Sequence, residues 1–225
     1  MNIALFGGTF DPIHAGHLAA ARAAQRQFRL ERILFVPTGN PPHKTHDRLT
    51  DYGQRLAMVA LACAGESRFI PSTIEAPTAD GSARYTIDTV RAIRRRLRQH
   101  DRLFFLVGAD AFLDLPHWKE FRRLLDAVEF IVVSRPGFEV EALRQVAPPD
   151  LLPARRLPPK VGTIRLRHGA IHLLHGVEAP VASREIRQAV RARQSITGLV
   201  PLLVEEYIEK EGLYRPSAGV RRLPR

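Results

Sequence analysis

The stretch Gly7-Gly8-Thr9-Phe10-Asp11-Pro12-Ile13-His14-Ala15-Gly16-His17-Leu18 follows the apolar run Asn2-Ile3-Ala4-Leu5-Phe6 and enters an alanine-rich segment. Glycines let a backbone come close to a ligand, and the amides at a helix start, with the helix dipole behind them, attract an anion. His14 and His17 are three residues apart, at or just before the first helical turn, so both imidazoles can face the same anion. The chemistry open to such a set is holding phosphate and neutralising its charge. A tight strand-to-helix turn with solvated histidines would use the same residue types, and Gly-Gly before a helix does not by itself separate the two readings.

A second set lies near the other end, at Val181-Ala182-Ser183-Arg184-Glu185-Ile186-Arg187. Ser183 as an N-cap, amides behind it and guanidinium groups one turn apart could hold the outer phosphates of a triphosphate. The alternative is an ordinary capped surface helix. Asp110, just after Gly108-Ala109, falls where an open parallel sheet places ligand groups, and also suits a helix N-cap. Asp11 precedes Pro12 in a turn and Asp88 falls in a first helical turn, so both read as structural carboxylates rather than an acid and base pair. Zinc on His14 and His17 is disfavoured, because helical histidine ligands usually stand four apart with a third partner. The run Arg91, Arg94, Arg95, Arg96 and Arg98 lacks interleaved aromatics and reads as a solvated helix face, so no specific nucleic acid is expected.

These residues need elements to hold them. Runs rich in β-branched and aromatic residues at 2–6, 32–36, 68–74, 103–107 and 128–134 predict strands, separated by helical patterns at 16–28, 51–64 and 86–99. A short helix opening at Ser183 and another from Pro201 to Glu211, stopped by Gly212, follow. The alternation predicts an α/β fold: a Rossmann-like, doubly wound parallel sheet with helices on both faces, whose ligands sit beyond the carboxyl ends of the strands. Five prolines between Ala147 and Lys160 predict a loop or insertion there. One domain is expected over residues 1–214, with a basic, disordered tail over 215–225.

The chain has 225 residues, 45% apolar and 25% charged, which suits a globular protein with a sizeable core. The amino terminus enters a strand without a leader and no run is long enough to span a bilayer, so a cytoplasmic protein without a membrane partner is expected. Cys63 is the only cysteine and sits in an apolar helical pattern, which excludes an intrachain disulfide and disfavours redox chemistry. The net charge of +11, carried by 30 Arg and 4 Lys, favours polyanionic partners: phosphorylated metabolites or nucleic acid.

The string from Gly7 to His17 resembles the nucleotidyltransferase superfamily marked by His-x-Gly-His, and its full form is similar to the bacterial nicotinate-nucleotide adenylyltransferase family. Further segments match in order: Pro37 with Pro41-Pro42-His43-Lys44, Tyr85-Thr86-Ile87-Asp88-Thr89, Gly108-Ala109-Asp110 with Trp118, Ser134-Arg135-Pro136-Gly137, and the ending through Val200-Pro201 to Gly212-Leu213-Tyr214. Residues 138–170 and the tail lie outside the match. The family's Ile-Ser-Ser-Thr-x-Ile-Arg is also altered here, with Ala182 and Arg184 at its second and fourth positions.

The resemblance implies a nucleotidyltransferase fold and adenylyl transfer from ATP to nicotinate mononucleotide, giving deamido-NAD and pyrophosphate in NAD biosynthesis. It implies His14, His17, Lys44 and Arg187 as catalytic residues. Gly7, Gly8, Thr9, Phe10, Gly108, Asp110 and Ser183 would join His14, His17 and Arg187 in binding ATP. His43, Lys44, Tyr85, Thr86, Asp110, Trp118 and Arg135 would bind the acceptor, with Trp118 stacked on the pyridine and amides near Thr86 facing its carboxylate. The nucleophile is already an anion, so positioning and charge neutralisation should carry catalysis, with Mg²⁺ brought by the ATP phosphates and no protein metal ligands. A homo-oligomer stays open. Three alternatives remain: an enzyme using nicotinamide mononucleotide or both acceptors, a class I aminoacyl-tRNA synthetase, and a non-catalytic phosphate- or RNA-binding relative. The synthetase is weakened by the short chain and the lack of a Lys-Met-Ser-Lys-Ser-like motif.

Overall fold

A computed structural model describes residues 1–39, 49–134, 140–153, 162–175, 177 and 181–216. Seven strands form one sheet: β1 (Asn2–Gly8), β2 (Arg32–Pro37), β3 (Phe69–Pro71), β4 (Arg102–Gly108), β5 (Glu129–Val133), β6 (Thr163–Leu166) and β7 (Gly169–Leu174). Their spatial order is β3-β2-β1-β4-β5-β7-β6, parallel throughout except for the β6–β7 pair. The order reverses between β1 and β4, which leaves a crevice beyond their carboxyl ends, the usual ligand position in such sheets.

The helices are α1 (Ala15–Phe28), α2 (Tyr52–Cys63), α3 (Thr86–Arg94), α4 (Ala109–Leu113), α5 (Phe121–Ala127), α6 (Val140–Arg144), α7 (Ser183–Arg191) and α8 (Leu202–Lys210). Strands buried on both faces need apolar residues in succession, and β4 supplies Leu103, Phe104, Phe105, Leu106 and Val107, all buried. Alternate residues go to opposite sides. Phe104 and Leu106 join Phe6 in a core with α1, α2, α7 and α8, whereas Phe105 and Val107 join Leu5 in a core with α3, α4 and α5. Cys63 is buried in the first core, and burial, with Glu66 nearby, pushes its thiol up to about 12, so it is an inert apolar filler.

The structure corrects several expectations. The sheet is parallel as expected, with one addition at its edge, where β6 pairs antiparallel with β7. That hairpin was not predicted: its connection, Arg167-His168, carries no Asn-Gly or Asp-Gly signal, although Thr163-Ile164-Arg165-Leu166 does alternate polar and apolar. The third strand is three residues long instead of seven and stops at Pro71, which has no amide to extend the ladder. The third helix ends at Arg94 and not Gln99. There Asp101 draws the chain aside, its carboxylate accepting from the Arg98 amide and its carbonyl from Arg94. The four short pieces α4, α5, α6 and the 3-10 turn Leu115–His117 escaped the periodicity, being too brief to repeat it. In the Pro-rich segment a 3-10 turn forms at Pro149–Leu151, and residues 154–160 lie outside the described residues.

Candidate active site

The carboxyl end of β1 runs into a loop that α1 closes. His14 is the N-cap of α1, in extended conformation, and His17 occupies the third helical position. The His14 backbone amide donates to Nδ1 of His17 at 3.2 Å, one half of a capping box built with an imidazole. With Nδ1 accepting, the neutral His17 ring carries its proton on Nε2. The two rings stack, with centroids 3.7 Å apart and planes 27° from parallel. Phe6 and Phe10 meet the edge of the His17 ring at 5.8 and 5.0 Å and hold it from behind.

Both histidines line a cleft of about 400 Å³ at the reversal between β1 and β4. The other walls include Gly7 from β1, Gly108 and Asp110 at the end of β4, and Ser183 at the start of α7. Thus groups from three separate stretches of sequence, expected to handle ATP, converge on one space. Thr9 and Phe10 sit in the loop behind it. Phe10 has φ of 49° and is buried, with its ring 3.1 Å from where a side chain on Gly8 would begin, so the glycine is what lets the loop fold back on itself.

Two capping expectations change. Ala182, not Ser183, is the N-cap of α7, and the Ser183 hydroxyl instead donates to the Pro12 carbonyl at 2.9 Å. Likewise Gly108, not Asp110, is the N-cap of α4, which leaves Asp110 in the first turn on the cleft wall. Arg187 donates from Nη1 to the Asp11 carbonyl at 2.7 Å. Ser183 and Arg187 therefore bind the turn that carries His14, so the altered segment 181–187 is tied to the first one although 171 residues separate Ser183 from Pro12.

Arg55 was not singled out from sequence, yet among the described residues it is the largest fully buried side chain. It donates to three carbonyls: Thr50 at 2.9 Å, Thr9 at 2.8 Å and Gly39 at 3.3 Å. Asp11, read as a turn residue, is buried, and its carboxylate accepts from the Tyr214 hydroxyl at 2.7 Å and the Thr50 amide at 3.3 Å. A signal existed: Tyr52, Arg55, Met58, Val59 and Ala62 fall on one helical stripe, so Arg55 is a cation on an apolar face.

Tyr85, Thr86 and Trp118, three of the residues expected at the acceptor, lie at the core that packs α3 and α5 on the sheet, whereas Asp110 stays on the cleft wall. Tyr85 is the N-cap of α3 and Thr86 its first helical residue, so the Thr86 and Ile87 amides have no acceptor within the helix. Trp118 is half-buried and meets Phe105 edge-on with centroids 6.1 Å apart. Phe105 in turn lies 3.2 Å from where a Cβ on Gly7 would be, so one ring separates Trp118 from the loop. Glu75 is a further buried group, accepting from the Thr89 hydroxyl at 2.8 Å, and burial pushes its carboxyl up to about 6. His43, Lys44 and Arg135 lie outside the described residues.

Burial lowers the pKa of His14 to about 4, against some opposition from Glu185, and burial and then His14 hold His17 well below 6.5. The imidazoles are neutral at pH 7, and Nδ1 of His14 is buried with no hydrogen-bond partner among the described residues. In the unfolded chain both titrate near 6.5 and bind protons more readily than in the folded one. Stability from these groups is thus complete above about pH 6.5 and falls as pH drops toward 4. Thermal unfolding between pH 7 and pH 4.5 should show this as a falling Tm, and the fall should be smaller in His14→Asn.

The chain matches the model of the cytidylyltransferase-like family over residues 5–193. It is 40% identical to a protein of Solibacter usitatus named "Probable nicotinate-nucleotide adenylyltransferase", over 95% of this chain and all of the relative. Identity to the similarly named protein of Thermus thermophilus is 40%, over 96% of this chain and all of that one. Among solved structures, nicotinic acid mononucleotide adenylyltransferase of Plasmodium falciparum, complexed with NaAD, superposes with a TM-score of 0.70 at 18% identity, over 95% of this chain and 97% of that one. The fold, the stacked histidines at the sheet crevice and identity along nearly the whole chain agree: this chain belongs to the cytidylyltransferase-like family and, within it, to the nicotinate-nucleotide adenylyltransferases.

Proposed function

We propose that the chain transfers the adenylyl group of ATP to nicotinate mononucleotide. A phosphate oxygen of the acceptor attacks the α-phosphorus of ATP, the bond to the β-phosphate oxygen breaks, and deamido-NAD and pyrophosphate leave without a covalent enzyme intermediate. The observation that carries this reading is the neutral, stacked pair His14–His17 on the wall of the crevice between β1 and β4. Support comes from relatives of that name over nearly their whole length, and from solved neighbours holding NaAD and APC.

Each residue has a role in this reading. Gly7, Gly8, Thr9 and Phe10 bring the backbone up to the phosphates. His14 and His17 donate hydrogen bonds to the triphosphate and stabilise charge as the leaving pyrophosphate departs. Gly108 and Asp110 face the ribose and the phosphates, and Ser183 and Arg187 close the site from α7. Tyr85, the Thr86 amide and Trp118 take the pyridine end of the acceptor. Lys44, His43 and Arg135 carry phosphate-binding roles that rest on their motifs alone.

The magnesium ion expected with ATP fits this donor set. Among the described residues no three His, Cys, Asp or Glu side chains are grouped to hold an ion, and Asp110 is the one carboxylate among the residues that line the cleft. A cation held chiefly by phosphates and water needs no more than one such neighbour. When bound it would offset polyphosphate charge, with Asp110 on its outer water shell. No helix among the described residues is long and apolar enough to cross a membrane, and a cytoplasmic setting is proposed on the nature of the substrates.

The test is pyrophosphate release with ATP and Mg²⁺, comparing nicotinate with nicotinamide mononucleotide. A preference for the acid of at least about 100-fold in kcat/KM is expected, since amides aimed at a carboxylate leave unpaired groups when the amide binds. Equal use of both acceptors would replace this reading with a dual-specificity enzyme. Release with neither would remove it.

A further inference from the structure

We propose that Arg91 and Asp88 on α3, with Lys119 and Glu120 in the turn before α5, form a clamp that sets the spacing between Trp118 and the Tyr85–Thr86 amides. They would act as positioning residues for the pyridine end of the acceptor, and the inference rests on the reading of the reaction given above.

Four contacts cross between the two segments. Arg91 forks onto Glu120, Nη1 to Oε1 at 3.2 Å and Nη2 to Oε2 at 2.7 Å. Lys119 Nζ lies 3.6 Å from Asp88 Oδ2 and 4.1 Å from the centre of the Tyr85 ring. Every one of these joins a residue within six positions of Thr86 to a residue next to, or one removed from, Trp118. The clamp therefore ties together the two segments that carry the acceptor residues.

Trp118 and Phe121 pack with Val90 of α3 and Leu124 of α5 on one core, and that apolar contact is non-directional, so it holds the two segments together without setting their register. The Trp118 ring meets Phe105 by an edge, and its own backbone bonds, to the Leu115 carbonyl and from the Phe121 amide, stay within the turn. Glu120 adopts φ of 52°, left-handed and uncommon for a residue other than glycine, so the turn is held in a shape the backbone alone does not favour. The Arg91 and Arg123 guanidiniums hold the Glu120 carboxyl down at about 2, and the fork stays charged at any working pH.

The location argues for positioning over bulk stability. The side chains of Arg91 and Glu120 are 37% and 26% exposed, and ion pairs at such sites contribute little to folding. A planar fork, however, fixes distance and direction together, and lysine in place of Arg91 would keep the charge but lose the fork.

Trp118 is the only tryptophan, so its fluorescence reports this turn alone. Titrating nicotinate mononucleotide against the full chain should quench it in the wild type, by contact with the pyridine. Arg91→Ala and Glu120→Gln should weaken that binding roughly three- to tenfold, with ATP affinity by calorimetry unchanged. The double variant should be no weaker than either single one, and Arg91→Lys should fall between. Unchanged nicotinate mononucleotide affinity in the variants, with a wild type that turns over, would overturn the clamp and leave the reaction standing. A shared loss of Tm and of both affinities would also overturn it, by showing a structural role. A wild type that neither binds the acceptor nor releases pyrophosphate would remove the reading of the reaction itself.

Discussion

His17→Ala is expected to lower kcat for pyrophosphate release by about 10²- to 10³-fold, the usual effect of removing one donor to developing charge, while the Kd for ATP moves by less than about tenfold. The reason is that His17 is already placed. Its Nδ1 accepts from the His14 amide, its ring is backed by Phe6 and Phe10, and His14 stacks on its face. No reorganisation is then needed when charge builds on the leaving group. His14→Ala should act in the same direction, and because the rings form one stack the double variant should cost much less than the product of the two. A polyanion beside these imidazoles favours their charged forms, which burial alone suppresses in the free protein. ATP binding at pH 6 should therefore take up protons, seen as a binding heat that varies with buffer ionisation enthalpy, and His17→Ala should reduce the uptake. Near wild-type turnover in both single variants would take the histidines out of the mechanism.

Arg55→Met should be the most damaging single change to stability among residues that touch no substrate. Methionine fills much of the volume but donates nothing, which strands the carbonyls of Thr9, Thr50 and Gly39 beneath the loop and removes a positive charge that acts on the buried Asp11 carboxylate. Leaving three buried acceptors unpaired costs about 3–5 kcal/mol. For a chain of this size that corresponds to a drop in Tm of about 6–15 °C. Arg55→Lys should recover only part of it, since an ammonium cannot reach three carbonyls in a planar fan. Differential scanning calorimetry would measure this, and a Tm within about 2 °C of wild type for Arg55→Met would show that the loop does not depend on that fan. The activity of any Arg55→Met that folds should also fall, because Thr9 and the turn carrying His14 lose their anchor.

The two substitutions mark how far the sequence could be read. His14 and His17 were legible because their chemistry is local: an N-cap and a third helical position are set by spacing along the chain, and the anion preference of a helix start needs no distant partner. The same holds for the strands at Asn2–Gly8, Arg32–Pro37 and Arg102–Gly108, whose continuous apolar runs required cover on both faces and so implied the parallel sheet and its crevice. Arg55 was visible only as a misplaced cation, since its three acceptors come from residues 5, 16 and 46 positions away.

Ser183 and Arg187 were found for a phosphate, but in the folded chain they donate to the carbonyls of Pro12 and Asp11, a contact fixed by where α7 docks. The roles of Lys44, His43 and Arg135 rest on motif alone. The hairpin of β6 and β7 passed unread because its turn lacks special residues and its strand β7 pairs with β5, some forty residues earlier. Local periodicity and helix-end chemistry are written residue by residue, and by itself the sequence determined the α/β class, the strand-to-helix turn that carries His14 and His17, and the family. Which carbonyls bury a guanidinium, which edge takes an antiparallel strand and how α3 meets the turn at Trp118 were decided by tertiary structure, because each is a contact between segments whose separation no local pattern encodes.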